Sequence, residues 1–130
     1  MEEKYGELIN LARKQTRRAH PKLSGYRVGA AVLGVNGRVC GGYNVETDIH
    51  HAIHAEMSAI HALMADSTTI QAIAVACTDR PWFPCGWCRQ WIWEYAESPD
   101  AVVIACCTET DQVEIATISE LLPDAFKLEV

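Results

Sequence analysis

Two short stretches carry residue types and spacings that could do chemistry: His54-Ala55-Glu56 and Pro84-Cys85-Gly86-Trp87-Cys88. Two cysteines separated by two residues close on one metal ion from the first turn of a helix, and His54 supplies a third ligand from elsewhere in the chain. Three protein ligands leave one position of a tetrahedral ion open. A catalytic zinc keeps that position for water, whereas a structural zinc fills all four with protein atoms. On a helix opening at His54, Glu56 sits near enough to handle the proton of such a water without joining the metal. Taken singly, each residue has a plainer explanation. A Cys-x-x-Cys also serves as a redox pair, a disulfide or half of a four-ligand knuckle, a lone histidine is usually an ordinary buried one, and a first-turn glutamate is favoured by the helix dipole. The combination, with Pro84 directly before Cys85, favours a catalytic zinc over these.

The elements that must position these residues follow from periodicity. Tyr5, Leu8, Ile9 and Ala12 share one face of an amphipathic helix over about residues 3–18, with Glu2 and Glu3 before it and Lys14, Arg17 and Arg18 at its end, the polarity a helix dipole prefers. Together with His20 and Lys22 these cations form the one basic cluster, read as a solvated helix end in preference to a phosphate site. Pro21 and Ser24-Gly25 precede a strand over residues 28–35. Asn36-Gly37 signals a tight hairpin, returning antiparallel over 38–43. Gly29, Gly41 and Gly42 within these strands imply close backbone approach or a bulge. Asn44 and Glu46 follow at the strand end, where polar groups serve either a substrate or simple turn chemistry.

Residues 47–53 read as a loop whose His50 and His51 the metal motif does not require. The helix over 54–65 is apolar nearly all round and therefore buried, with His61 expected as a core or interface residue. Strands over 70–77 and 101–107 are apolar enough to be covered on both faces. Between them a loop over 78–84 feeds a cysteine helix ending near Glu97, whose Trp87, Trp91, Trp93 and Tyr95 are read as core or subunit contacts before any base-stacking platform. A short strand over 113–116 and a capping box at Thr117–Glu120 open a last brief helix. The order α, β, β, α, β, α, β, β, α places helices on a mixed central sheet, with both metal-bearing helices opening near one edge of it.

Composition bounds the alternatives. The 130 residues suit one domain spanning 1–130, and the 49% hydrophobic and 22% charged content is that of a soluble globular chain. No apolar run reaches the ~20 residues of a membrane span. The acidic start, Met1-Glu2-Glu3-Lys4, lacks the apolar stretch of a signal peptide, so a cytoplasmic setting is expected. A net charge of −6 argues against a polynucleotide partner and for a small neutral substrate. Cys40, Cys77, Cys106 and Cys107 lie in apolar runs and are read as packing, the last two on opposite faces of a strand.

His-x-Glu followed by Pro-Cys-x-x-Cys is the signature of zinc-dependent nucleobase deaminases. With Val28-Gly29-Ala30-Ala31, Gly42-Tyr43-Asn44-Val45-Glu46 and Leu121-Leu122-Pro123-Asp124-Ala125-Phe126 in the same order, most of the chain resembles the cytidine deaminase family. The resemblance implies a three-layer α/β/α fold with a mixed five-stranded sheet. It implies one Zn2+ on His54, Cys85 and Cys88, with Glu56 as proton shuttle. It further implies that Asn44 and Glu46 hold the ribose 3′-hydroxyl, that the Ala55 backbone meets the pyrimidine, and that Tyr26, where the family usually has phenylalanine, lies beside the base. Phe126 corresponds to a tail aromatic that reaches a neighbouring subunit's site in homotetramers. The implied reaction converts cytidine or deoxycytidine to the uridine with release of ammonia, in pyrimidine salvage. Small family members commonly carry a third cysteine and an arginine after the glutamate; here His54 and Met57 stand in those places. The two departures agree, because two thiolates with a neutral histidine balance Zn2+ without a nearby cation. The alternatives are deamination of a modified or antibiotic nucleoside, as by the similar blasticidin S deaminases, and a non-catalytic zinc protein.

Overall fold

A computed structural model describes residues 3–129 of the chain; the expected role of Glu2 ahead of the first helix lies outside them. Five strands form one mixed sheet in the order β2-β1-β5-β6-β7: β1 (Val28–Gly34), β2 (Val39–Tyr43), β5 (Ile70–Cys77), β6 (Val103–Thr108) and β7 (Val113–Thr117). β1 runs antiparallel to both β2 and β5, β5 and β6 are parallel, and β7 returns antiparallel to β6. Helix α1 (Glu3–Gln15) covers one face. Leu8, Ile9 and Ala12 pack there on Ala31, Ala72, Ala74, Ala76, Ala105 and Cys107. On the other face α2 (Ala55–Leu63), α3 (Gly86–Tyr95) and the one-turn α4 (Ile118–Leu121) cover Val32, Ile73, Val75, Ile104 and Cys106. The architecture is therefore the three-layer α/β/α sandwich.

Close approach is built in by glycine. A Cβ on Gly29 would sit 2.2 Å from the Ala12 carbonyl oxygen, and one on Gly42 would sit 2.3 Å from the Ala55 carbonyl oxygen and 2.5 Å from the Ala59 nitrogen. Backbone cannot yield as a side-chain tip can, so α1 and α2 lie as near the sheet as they do only because those Cβ atoms are missing. Gly42 thus sets the height of the first turn of α2, where Ala55 and Glu56 begin. The register does the rest: Val28 pairs with Cys77 and Gly29 with Tyr43. The start of β1, the end of β2 and the end of β5 meet at one end of the sheet.

Several boundaries differ from expectation for local reasons. Glu3 is the first residue of α1, not a residue preceding it, and Thr16–Arg18 form a 3-10 turn after the α-helix. The hairpin closes with a three-residue turn, Gly34 bonding Arg38 and Gly37 bonding Gly34. Residues 47–53 are not all loop: β4 (Ala52–Ile53) pairs antiparallel with β3 (Val45–Glu46) in a small separate ribbon. α3 stops at Tyr95 because Ala96 turns extended and Glu97 donates its amide to the Ile70 carbonyl (2.9 Å). His61 is exposed on α2, so it is no core residue of this chain. The capping box forms as read, with Thr117 and Glu120 each bonding the other's amide. Cys106 and Cys107 do face opposite layers of the core. Among the described residues, no helix is long and apolar enough to cross a membrane.

Candidate metal centre and pocket

His54 and Cys85 occupy equivalent places. Each is the extended residue immediately before a helix, His54 before α2 and Cys85 before α3, and Cys88 lies in the first turn of α3. The helices pack on each other, so two helix starts meet over the same end of the sheet. His54 Nδ1 lies 3.2 Å from the Cys88 sulfur and 3.5 Å from the Cys85 sulfur, and the three atoms fall within 4.8 Å of one another. A tetrahedral zinc with bonds of ~2.05 Å to nitrogen and ~2.3 Å to sulfur needs such pairs about 3.5 Å apart, so the donor set has the right elements at the right spacing. Burial lowers the His54 pKa, which keeps the imidazole neutral with a lone pair to give. The fully buried Cys88 thiol is pushed up by burial first, then by the negative charges of Glu56 and Cys85. A dication on the sulfurs relieves that crowding, which is a second respect in which the site suits a metal. Trp87, between the two cysteines, sets its ring edge-on to His54 at 5.3 Å between centroids.

Glu56 is 5% exposed, and burial drives its pKa upward against smaller opposing contributions from its own backbone amide and from Cys88. A carboxyl raised in this way sits closer to neutral pH and exchanges protons in both directions more readily. Among the described residues no carboxylate, Glu56 included, joins the three donors.

These groups open into a cavity of about 420 Å³. Tyr26, Asn44, Glu46, His54, Ala55, Glu56 and Cys85 all line it, while Cys88 lies behind the wall. The remaining expected contact, Phe126, does not: it is 69% exposed, its carbonyl held by the Gln90 amide at 2.9 Å. Asn44 stitches the entry of β1, accepting from the Val28 amide (2.9 Å) and donating to the Tyr26 carbonyl (2.9 Å). Glu46 accepts from the Leu23 and Ser24 amides (both 2.9 Å) and from the Ser24 hydroxyl (2.6 Å), and these donors depress its pKa. Both residues therefore build the pocket wall. Each keeps spare capacity: one N–H and one lone pair on Asn44, and about one acceptor position on Glu46.

Sequence reasoning missed the Trp82-Phe83-Pro84 wall and Ser24, all of which line the cavity. Two aromatics directly before the metal-motif proline were the available signal for the first; Ser24 carries none, because its partner is 22 positions away. Among the described residues lining the cavity there is no Lys or Arg.

The sequence profile described as "Cytidine and deoxycytidylate deaminase zinc-binding region" matches residues 2–106. A cytidine deaminase of Sporosarcina psychrophila is 32% identical over 126 residues, covering 95% of this chain and 91% of its own. One of Sodalis glossinidius is 35% identical over 108 residues, 80% of this chain, which spans only 32% of that longer protein. The crystal structure of cytidine deaminase from Burkholderia pseudomallei superposes with a TM-score of 0.86 at 31% identity, covering 94% of this chain and 98% of that one. The zinc-binding region so matched contains the His54, Cys85 and Cys88 donors, and Zn2+ is the metal it takes. By its fold, its profile and its similarity along nearly the whole length, this chain belongs to the cytidine and deoxycytidylate deaminase family.

Proposed function

We propose that this protein is a hydrolytic deaminase that converts cytidine and deoxycytidine to uridine and deoxyuridine, releasing ammonia. The observation that carries the reading is a three-donor set with spacing for zinc, beside a buried carboxylate outside that set, both opening into one cavity. His54, Cys85 and Cys88 hold the ion. Zinc bound there supplies a Lewis acid that lowers the pKa of a water molecule toward ~7. Glu56 takes one proton as the water oxygen adds to C4 of the cytosine ring and delivers it to N3, then takes the second proton from that oxygen and passes it to the departing amine, so that C4=O forms as the amine leaves. The C4–N bond breaks, ammonia leaves and the uracil ring remains. Ala55, fully buried at the start of α2, presents backbone to the base, and Tyr26 lies along its face. The free capacity on Asn44 and Glu46 suits a ribose hydroxyl, which both donates and accepts.

A homotetramer in which Phe126 enters a neighbouring subunit's site accords with the exposure of Phe126 and Leu128 on a segment tethered to α3. A role in pyrimidine salvage would place the protein in the cytosol, and a reducing compartment accords with Cys40, Cys77, Cys106 and Cys107 as buried unpaired thiols.

The test is ammonia release from cytidine, deoxycytidine, cytosine, blasticidin S and adenosine by protein with measured zinc content. Turnover should centre on the first two, and Glu56→Gln should retain one zinc per chain while losing at least ~100-fold in kcat. Zinc-loaded protein with no activity on any cytosine compound, or an E56Q variant with full turnover, would refute the proposal.

A further inference from the structure

Tyr26 lines the cavity, and its hydroxyl donates to Asp79, which does not. The contact is one of several that join the same two segments. Thr78 Oγ1 accepts from the Arg27 amide (3.2 Å) and donates to the Arg27 carbonyl (3.1 Å), so residues 26–27 grip residues 78–79 through both backbone and side chain. Beyond Asp79 the loop is braced from within: the Arg80 guanidinium lies over the Trp82 ring at 4.2 Å, and the Trp82 amide bonds the Arg80 carbonyl (2.9 Å). The next three residues, Trp82, Phe83 and Pro84, form one wall of the cavity and lead directly to Cys85.

We propose that Asp79 is a positioning residue for substrate: by holding the Tyr26 hydroxyl it fixes the ring beside the base and locks the Trp82–Pro84 wall against the opposite side of the cavity. The phenol has one proton and donates it to Asp79, so Tyr26 offers the substrate its ring and no hydrogen-bond donor. Burial, and next the bond to Asp79, push the Tyr26 pKa up to about 12, so the hydroxyl keeps its proton as a donor at neutral pH. Geometry makes this a binding device more than a chemical one. Glu56 lies on α2 and His54 immediately before it, both outside the clasped segments, and Cys85 is held separately by the Arg89 amide on its carbonyl (2.9 Å).

The inference rests on the proposed deamination, and the experiment separates the two. Steady-state kinetics on cytidine are compared for the wild-type holoenzyme, Tyr26→Phe, Asp79→Ala, Asp79→Asn and the Tyr26→Phe/Asp79→Ala double variant, each with measured zinc. Y26F and D79A should each raise KM about tenfold with kcat within threefold and zinc retained. D79N keeps an acceptor for the phenol and should stay within threefold of wild type. The double variant should be no worse than either single one, because both remove the same bond. Unchanged KM in Y26F, multiplicative effects in the double variant, or a fall in kcat at constant KM would overturn the proposal; if D79A does not fold, Y26F and D79N decide it. Should the wild type with zinc show no turnover, deamination itself fails. Amide exchange across residues 78–84 then judges the clasp alone: faster in Y26F supports it, unchanged refutes it.

Discussion

Glu46 bonds three donors of the Leu23–Ser24 segment and still borders the cavity, so one carboxylate both braces the wall and lines the space it encloses. Its pKa lies below the ordinary 4.5 because of those donors, which fixes the sign of its pH dependence. A carboxyl depressed by folding contributes its stabilisation fully above the unfolded value and loses it as pH falls through the lower, folded one. Protection of the Leu23 and Ser24 amides against hydrogen exchange, corrected for intrinsic rates, should therefore hold through neutral pH and fall only below pH 4.5. In Glu46→Gln, which can supply one carbonyl acceptor but no charge, protection should be low at every pH. Protection unaffected by acid would show that the carboxylate does not hold this segment. At this scale the chemistry was legible where it lay in short spacing: His54, Glu56, Cys85 and Cys88 come together as a set because each sits at or just inside a helix start. It was hidden where the partner is distant in sequence. Nothing local to Tyr26 announces Asp79, 53 positions on, and nothing near Glu46 announces Ser24.

Among the elements, the long periodic ones were readable and the two-residue ones were not. β5 falls on residues 70–77 as its apolar run requires, whereas β3 and β4 are too short for any alternation to register. That ribbon matters nonetheless, since it carries Glu46 and delivers the chain to His54. The glycine-rich β2 shows the opposite case. Its weak strand propensity is the condition for seating α2, with a Cβ on Gly42 only 2.3 Å from the Ala55 carbonyl oxygen. Gly42→Ala should lift the first turn of α2, the turn that bears Glu56 and follows His54. Expected are a fall in Tm of at least ~5 °C, a cost of roughly 1–3 kcal/mol from overpacking, and faster loss of zinc to a chelator. Gly37→Ala, in the turn joining β1 to β2 and with open space at its Cβ, serves as the control: it should destabilise through backbone strain alone and leave zinc release unchanged. Equal zinc release from wild type and G42A would mean that this close approach does not position the metal donors.

At the scale of the whole molecule, the pocket of one chain is lined by two of the three metal donors, His54 and Cys85, by Glu56, and by Asn44 and Glu46, but not by Phe126. Phe126 is well exposed, beyond α4 and tied to α3 through Gln90. An aromatic left in water at the end of a tethered segment is stabilised only by contact with another molecule, and in the proposed tetramer that contact is a neighbour's cavity. Phe126→Ala should then raise KM for cytidine while leaving zinc content and each chain's own Glu56 intact. Mixed assemblies make the direction of the contact measurable. Chains carrying Glu56→Gln lack the proton shuttle but bear a normal Phe126; chains carrying F126A have the shuttle but no tail aromatic. Co-expressed and purified as hetero-oligomers, they should contain F126A sites completed by E56Q tails, and part of the activity should return at near wild-type KM. If Phe126 folds back on its own subunit, those sites stay incomplete, and the mixture should show only the elevated KM of F126A alone. A single size-exclusion and kinetic comparison of the mixture with its two parents decides between a site completed by its neighbour and one that is whole within each chain.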